Sequence, residues 1–287
     1  MAESTRSAES TPVGSSLSPH AQEALGQLRE AIETAGPMIV GFSGGADSAL
    51  LLKAAVDALG SKVLAVTAVS PSLPAREMEE AKALAAEIGA RHRLVEAHEM
   101  DEEGYRENSP RRCYFCKSEL FRILQVEAER EGYSCIAFGA ITDDLGDFRP
   151  GMDAARESGA IAPLLDAGIG KADVREISRH LGVSTWNKPA SACLSSRVPF
   201  GTRIDVEILA RIEAAEAFLH AEGLRQVRVR DHGEIARIEC LPDQMERLME
   251  PARRGRIDEA LRAAGYRYVA VDLKGYRTGS LNPLKLA

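Results

Sequence analysis

The stretch MIVGFSGGADSALLL, residues 38–52, decides how this chain is read. A short apolar run, MIVGF, meets a small polar segment, SGGADS, and apolar residues then resume at Leu50, Leu51 and Leu52. That order describes a buried strand, a glycine-rich turn and a helix. Glycines let the backbone come close to a bound anion, Ser43 and Ser48 add hydroxyl donors, and the start of a helix offers aligned N–H groups. The spacing therefore predicts a phosphate cradle over GFSGGADS, residues 41–48. It is not the Walker pattern, which ends in Gly-Lys followed by Ser or Thr. An ordinary glycine turn is the bland alternative, and the position between a strand and a helix argues against it.

Outward from this stretch, helical and strand patterns alternate. Leu25, Leu28 and Ile32 mark a helix before the first strand, closed by Gly36-Pro37. VLAVTAV (63–69) is a second strand, Met78, Ala81, Ala85 and Ile88 line one face of a helix, and HRLVEA is a third strand. A helix is expected from near Cys113 to about Glu131, followed by the strand SCIAFGA. Such alternation implies a parallel sheet with helices on both faces, an α/β fold. Past Gly201 the pattern changes. Ile208, Ile212, Ala215 and Leu219 mark a helix, RQVRVR and EIARIEC read as a hairpin around DHGE, and a helical stretch from Glu246 to Ala264 precedes a last strand, YRYVAVDL. The expected organisation is a disordered tail (1–18), a nucleotide-binding α/β domain (19–186), a linking loop (187–204) and a smaller α+β domain (205–287).

Composition narrows the function classes. The chain has 287 residues and a net charge of −7, which argues against a bulk electrostatic grip on nucleic acid. No apolar run reaches the ~20 residues of a membrane span, and the first residues lack the apolar segment of a secretory signal. Five cysteines, an odd number, suit a reducing compartment, so the cytoplasm is the expected location.

Cys135 in SCIAFG and Cys240 at the end of the hairpin read as small buried hydrophobes. The others suggest chemistry. Cys113 and Cys116 form the Cys-x-x-Cys of RRCYFCK, and Cys193 lies in NKPASACLSSRVPFGTR, residues 187–203, among small and polar residues. A zinc site would want four ligands, and no second Cys-x-x-Cys or spaced histidine pair supplies them. Three cysteines match the count for a [4Fe–4S] cluster with one iron open. Alternatively, Arg197 and Arg203 near Cys193 would favour a nucleophilic thiolate. The loop GAITDDLGDFRPG adds Asp143, Asp144, Asp147 and Arg149, either as a solvated turn or as groups for Mg²⁺ or substrate.

SGGADS matches the SGGxDS loop of the PP-loop ATP pyrophosphatases. Together with RRCYFCK, DDLGDFRPG and NKPASACLSSRVPFGTRI, it makes the chain after the tail resemble the LarE family of ATP-dependent sacrificial sulfur transferases. The resemblance implies a PP-loop domain followed by a small C-terminal domain. It implies that Ser43, Gly44, Gly45, Asp47, Ser48, Thr67 and Gly139 hold ATP, with Asp47 placing Mg²⁺. It further implies adenylylation of a carboxylate of pyridinium-3,5-biscarboxylic acid mononucleotide and its conversion to a thiocarboxylate, toward the nickel-pincer cofactor of lactate racemase. Sulfur then comes from Cys193 itself, leaving dehydroalanine, or from sulfide relayed by a [4Fe–4S] cluster on Cys113, Cys116 and Cys193. The three-cysteine pattern favours the cluster. A homo-oligomer, such as a hexamer, is also expected by resemblance.

The hairpin supports an anionic nucleotide substrate. With DHGE as a four-residue loop, Arg228 faces Arg237, and two opposed cations want an anion between them. A solvated face or a subunit interface is the alternative. By resemblance, Arg228 and Arg230, with Glu216, Glu239 and Arg277, line the substrate site. The competing readings are a PP-loop tRNA thiolation enzyme carrying a cluster, a synthetase that merely amidates an adenylate, and a non-catalytic ATP-binding regulator.

Overall fold

The computed structural model describes residues 16–145, 150–189 and 191–277. Asp147 and Arg149 lie outside the described residues. The Ser18 hydroxyl caps α1 (Pro19–Ala35), which leads into β1 (Met38–Gly41). The nucleotide loop and α2 (Ala46–Leu59) follow, then β2 (Val63–Val69), α3 (Ala75–Ile88) and β3 (Arg91–Glu96). A single turn, α4 (Glu103–Arg106), precedes the long α5 (Arg112–Glu131) and β4 (Cys135–Phe138). Strand order is β3-β2-β1-β4, every pair parallel. Three shorter helices, α6 (Pro150–Glu157), α7 (Pro163–Asp166) and α8 (Lys171–His180), complete this half.

The sheet divides its side chains by alternation. Met38 and Val40 of β1 face the core shared with α1, α2 and α8, whereas Ile39 faces the core shared with α5 and α6. Both faces are covered, so both sets are apolar. Leu50, Leu51 and Leu52 are all fully buried, each contributing about 2 kcal/mol of transfer free energy. No described helix is long and apolar enough to cross a membrane.

The second half begins with α9 (Val206–Ala221), capped by Asp205, and continues through β5 (Val227–His232) and β6 (Ile235–Cys240). The helical stretch expected from 246 to 264 is two helices, α10 (Met245–Met249) and α11 (Pro251–Ala263), because Pro251 cannot continue the first. β7 (Tyr268–Val271) pairs parallel to β6, giving the order β5-β6-β7.

Arg228 does not face Arg237: its partner is Glu239, and Arg230 lies opposite Arg237. DHGE is not a four-residue loop, since His232 pairs with Ile235 across a turn of Gly233 and Glu234. Gly233 takes φ +71°, which a tight hairpin requires and glycine accepts without strain. The division into faces holds, with Val227 and Val229 packed beside Ala236 and Ile238. Cys240 is fully buried in that core, and half-buried Cys135 packs against the core of the larger sheet.

The halves meet through the cysteine segment. Leu194, Val198 and Ile204 pack in one cluster with Tyr105 from the first half and Ile212 of α9.

Candidate active site

The nucleotide loop leaves the carboxyl end of β1 and enters α2, whose N-cap Gly45 makes no side-chain cap. The Gly45 N–H donates to Ser43 Oγ at 3.4 Å, and the positive dipole end of α2 lies at this loop. Within the loop, Ser48 Oγ donates to the Gly45 carbonyl at 3.1 Å and lies 3.2 Å from Ser43 Oγ, while the Ser43 N–H donates to Ser48 Oγ at 3.3 Å. Gly44 has φ +70°, and a Cβ there would sit 2.9 Å from Ala81 Cβ. A Cβ on Gly139 would meet Ser48 N at 2.8 Å, so this glycine allows the end of β4 to press against the start of α2. Thr67 is spent internally: its buried hydroxyl donates to the Phe42 carbonyl at 2.6 Å and lies 2.9 Å from His92 Nε2.

Asp47 forms an ion pair with Lys171 Nζ at 2.6 Å. The Lys171 backbone N–H in turn donates to Asp143 Oδ2 at 2.9 Å, and Asp144 accepts from the Ile141 N–H within its own turn. Asp143 thus fixes the start of α8 rather than standing free. A Mg²⁺ ion fits the carboxylate chemistry of Asp47, with Lys171 as the group it would displace.

Cys193 precedes a short 3₁₀ turn, Leu194–Arg197, that docks on the loop after β2 through Leu194 N–H to Ser72 O at 2.8 Å. This puts the cysteine segment at the carboxyl edge of the sheet, the edge from which the nucleotide loop also rises. Cys113 is exposed, and Cys116 and Cys193 are half-buried. Burial and the neighbouring Cys193 push the Cys116 thiol up to about 12. Tyr105, whose hydroxyl is 2.6 Å from Ser195 Oγ, is raised by burial and then by Cys193.

The arginines singled out beside Cys193 do other work. Arg197 holds Glu216 at 2.8 Å and the Cys193 carbonyl at 2.9 Å, and Arg203 pairs with exposed Glu103. Another cation beside Cys113 and Cys193 is Arg112, whose role the sequence did not reveal. It is buried, donates to Asn108 Oδ1 at 2.6 Å and Ser195 O at 2.8 Å, and packs over Phe200. Burial works to lower its pKa, yet Cys193 and Cys113 leave it raised. The only sequence signal was its place beside the Cys-x-x-Cys.

The fit of a [4Fe–4S] cluster rests on this donor set. Thiolates suit a cluster in their chemistry, and Cys113 and Cys193 both act on buried Arg112 and on Cys116. As the side chains stand, no group of three or more His, Cys, Asp or Glu among the described residues is arranged to hold a metal ion.

On the small sheet, Glu216 is buried between Arg197 and the Val229 N–H. Glu239, fully buried, pairs with Arg230 at 2.7 Å and Arg237 at 3.2 Å, so the anion between the two opposed arginines is a carboxylate of the protein. Arg277 reaches Asp272 at 3.5 Å. Arg228 differs from all of these. It donates to its own Val227 carbonyl, lies over the Tyr276 ring at 5.6 Å, and forms no ion pair among the described residues. Burial and the neighbouring Arg197 lower its pKa, against the opposing pull of Glu216.

Comparison with known proteins identifies the family. Pyridinium-3,5-bisthiocarboxylic acid mononucleotide synthase of Lactiplantibacillus plantarum is 38% identical over 251 residues, 85% of this chain and 88% of the relative. The chain belongs to the LarE family. An uncharacterised protein of Synechocystis is 44% identical over 258 residues, 90% of this chain and 96% of its own length. Another from Methanocaldococcus jannaschii is 30% identical over 241 residues, 84% and 91% of the two chains. The NAD synthase family model matches residues 21–115, the part of this LarE-family chain that carries the PP-loop.

Proposed function

We propose that this protein is an ATP-dependent sulfur transferase. It activates a carboxylate of pyridinium-3,5-biscarboxylic acid mononucleotide and converts it to a thiocarboxylate, a step toward the nickel-pincer cofactor of lactate racemase. The observation that carries the reading is the anchoring of the Cys193 segment beside the nucleotide loop, through Leu194 on Ser72 and Lys188 Nζ on the Gly44 carbonyl. The family relative's name supplies the substrate class.

The chemistry follows from the parts. A substrate carboxylate oxygen attacks the ATP α-phosphorus, the bond to the β-phosphate oxygen breaks, and pyrophosphate leaves across the start of α2, where Asp47 would hold a Mg²⁺ that supplies countercharge. The Cys193 thiolate attacks the acyl carbon and AMP departs. In the sacrificial route the Cys193 Cβ–Sγ bond then breaks, its electrons staying on sulfur while the Cα proton is lost to give dehydroalanine. Arg228 receives the substrate phosphate.

In the three-cysteine form, Cys113, Cys116 and Cys193 would hold a [4Fe–4S] cluster, which supplies an open iron for an external sulfide. Anaerobically purified protein is expected to contain iron and absorb in the visible. Protein with neither uses the sacrificial route, in which mass spectrometry finds the Cys193 sulfur lost during turnover. The function itself is tested by pyrophosphate release: it is expected only with the mononucleotide present, and release driven by tRNA instead would overturn the proposal.

A further inference from the structure

Lys188 opens the cysteine segment, five residues ahead of Cys193, and its ammonium ends on the nucleotide loop. Nζ lies 3.3 Å from the Gly44 carbonyl, 2.7 Å from Glu77 Oε2 and 2.9 Å from Glu80 Oε2. Its side chain is only 13% exposed. Burial works to lower its pKa, and the two carboxylates reverse this, leaving it raised and the group charged. Both carboxylates belong to the first half of α3, the helix whose Ala81 also presses on Gly44. Three separate pieces of chain, the nucleotide loop, α3 and the cysteine segment, therefore converge on one ammonium.

A lysine is a compact charge on a flexible stem, able to change partners without moving its backbone far. A triphosphate held by the loop that Lys188 touches would bring several negative charges near its ammonium, in competition with Glu77 and Glu80. Phosphate oxygens compete well with carboxylates for an ammonium in a partly desolvated site. We propose that Lys188 is a nucleotide-sensing residue. On ATP binding it exchanges Glu77 and Glu80 for phosphate oxygens, and the shift changes the exposure of Cys193. The Leu194 end of the segment is held on Ser72. Glu77 and Glu80 act as the competing partners that restrain Lys188 before nucleotide arrives.

This inference rests on the reading of the loop as an ATP site, and the experiment separates the two. ATP affinity is measured by calorimetry on the full chain without the carboxylate substrate. Lys188→Met is expected to weaken ATP binding about tenfold, and Lys188→Arg to restore most of it. The double variant Glu77→Gln with Glu80→Gln is expected to tighten binding about fivefold, because the competitors are gone while Lys188 remains. A Lys188 that merely staples the three pieces predicts weaker binding in both cases. A second readout is the maleimide reaction of Cys193 in a chain carrying Cys113→Ser, Cys116→Ser and Cys135→Ser. Saturating ATP is expected to change that rate several-fold with Lys188 present and not at all in Lys188→Met. Weaker or unchanged ATP binding in the glutamine pair, or an ATP effect on Cys193 that survives Lys188→Met, overturns the inference alone. A native chain that binds no ATP overturns the functional reading along with it.

Discussion

The nucleotide loop draws its apparatus from eight consecutive residues, Gly41 to Ser48, whereas the surroundings of Cys193 come from four distant stretches. Tyr105 arrives on α4, Arg112 and Cys116 on α5, Ser72 from the loop after β2, and Glu216, which holds Arg197, from α9. The difference has a physical basis. Phosphate is recognised by backbone N–H groups at a strand-to-helix turn, which glycines make possible locally. A thiol or a substrate phosphate is handled by side-chain charges, and these are set by whatever packs nearby. The loop is a local device, and the cysteine centre is a tertiary one.

The contrast predicts which changes act through chemistry and which through folding. The largest effect is expected for Cys193→Ser, with thiocarboxylate formation lost and ATP binding unchanged; loss of ATP binding as well would show that the two regions are not separable. Next comes Glu239→Gln, which leaves Arg230 and Arg237 opposed around a neutral amide. It should cost about 3 kcal/mol in urea unfolding, as loss of one partner of a buried ion pair does. On the loop side, Gly139→Ala drives a methyl into Ser48 N, and a stability loss of about 2 kcal/mol with weakened ATP binding is expected.

Arg228→Ala is a smaller perturbation and separates the regions most cleanly. Arg228 forms no ion pair among the described residues, so the unfolding midpoint should hold, while KM for the mononucleotide rises about tenfold and ATP affinity stays. The smallest effect lies outside both regions. Gly26, in α1, has nothing within 4 Å of an added Cβ, so Gly26→Ala should stabilise the protein by about 0.5–1 kcal/mol without touching activity. A loss of activity there would show that α1 is coupled to the site.

Reading the hairpin from sequence alone went wrong in an instructive way. The alternation of Val227, Arg228, Val229 and Arg230 revealed which residues share a face, because side chains alternate strictly along a strand. It could not fix register, which depends on how many residues the turn consumes. Shortening DHGE to Gly233 and Glu234 moved Arg228 from Arg237 to Glu239, and with it the identity of the unmatched cation. The thiol environment was hidden in the same way. Arg197 and Arg203 lie close to Cys193 in the chain, yet each is committed to a glutamate, and a further buried cation, Arg112, comes from 81 positions away.

What the sequence determined by itself was everything carried by local pattern. That includes the alternating strands and helices of the parallel sheet, the glycine loop at the end of β1, and three cysteines outside any ordinary packing pattern. Periodicity and turn chemistry act over a few residues, so they can be read directly. Tertiary structure alone decided which charges are neutralised. Glu216, Glu239 and Asp47 have cationic partners, and Arg228 has no ion-pair partner among the described residues. Charge pairing across distant segments is a property of packing, and only packing could show where an anion is still wanted.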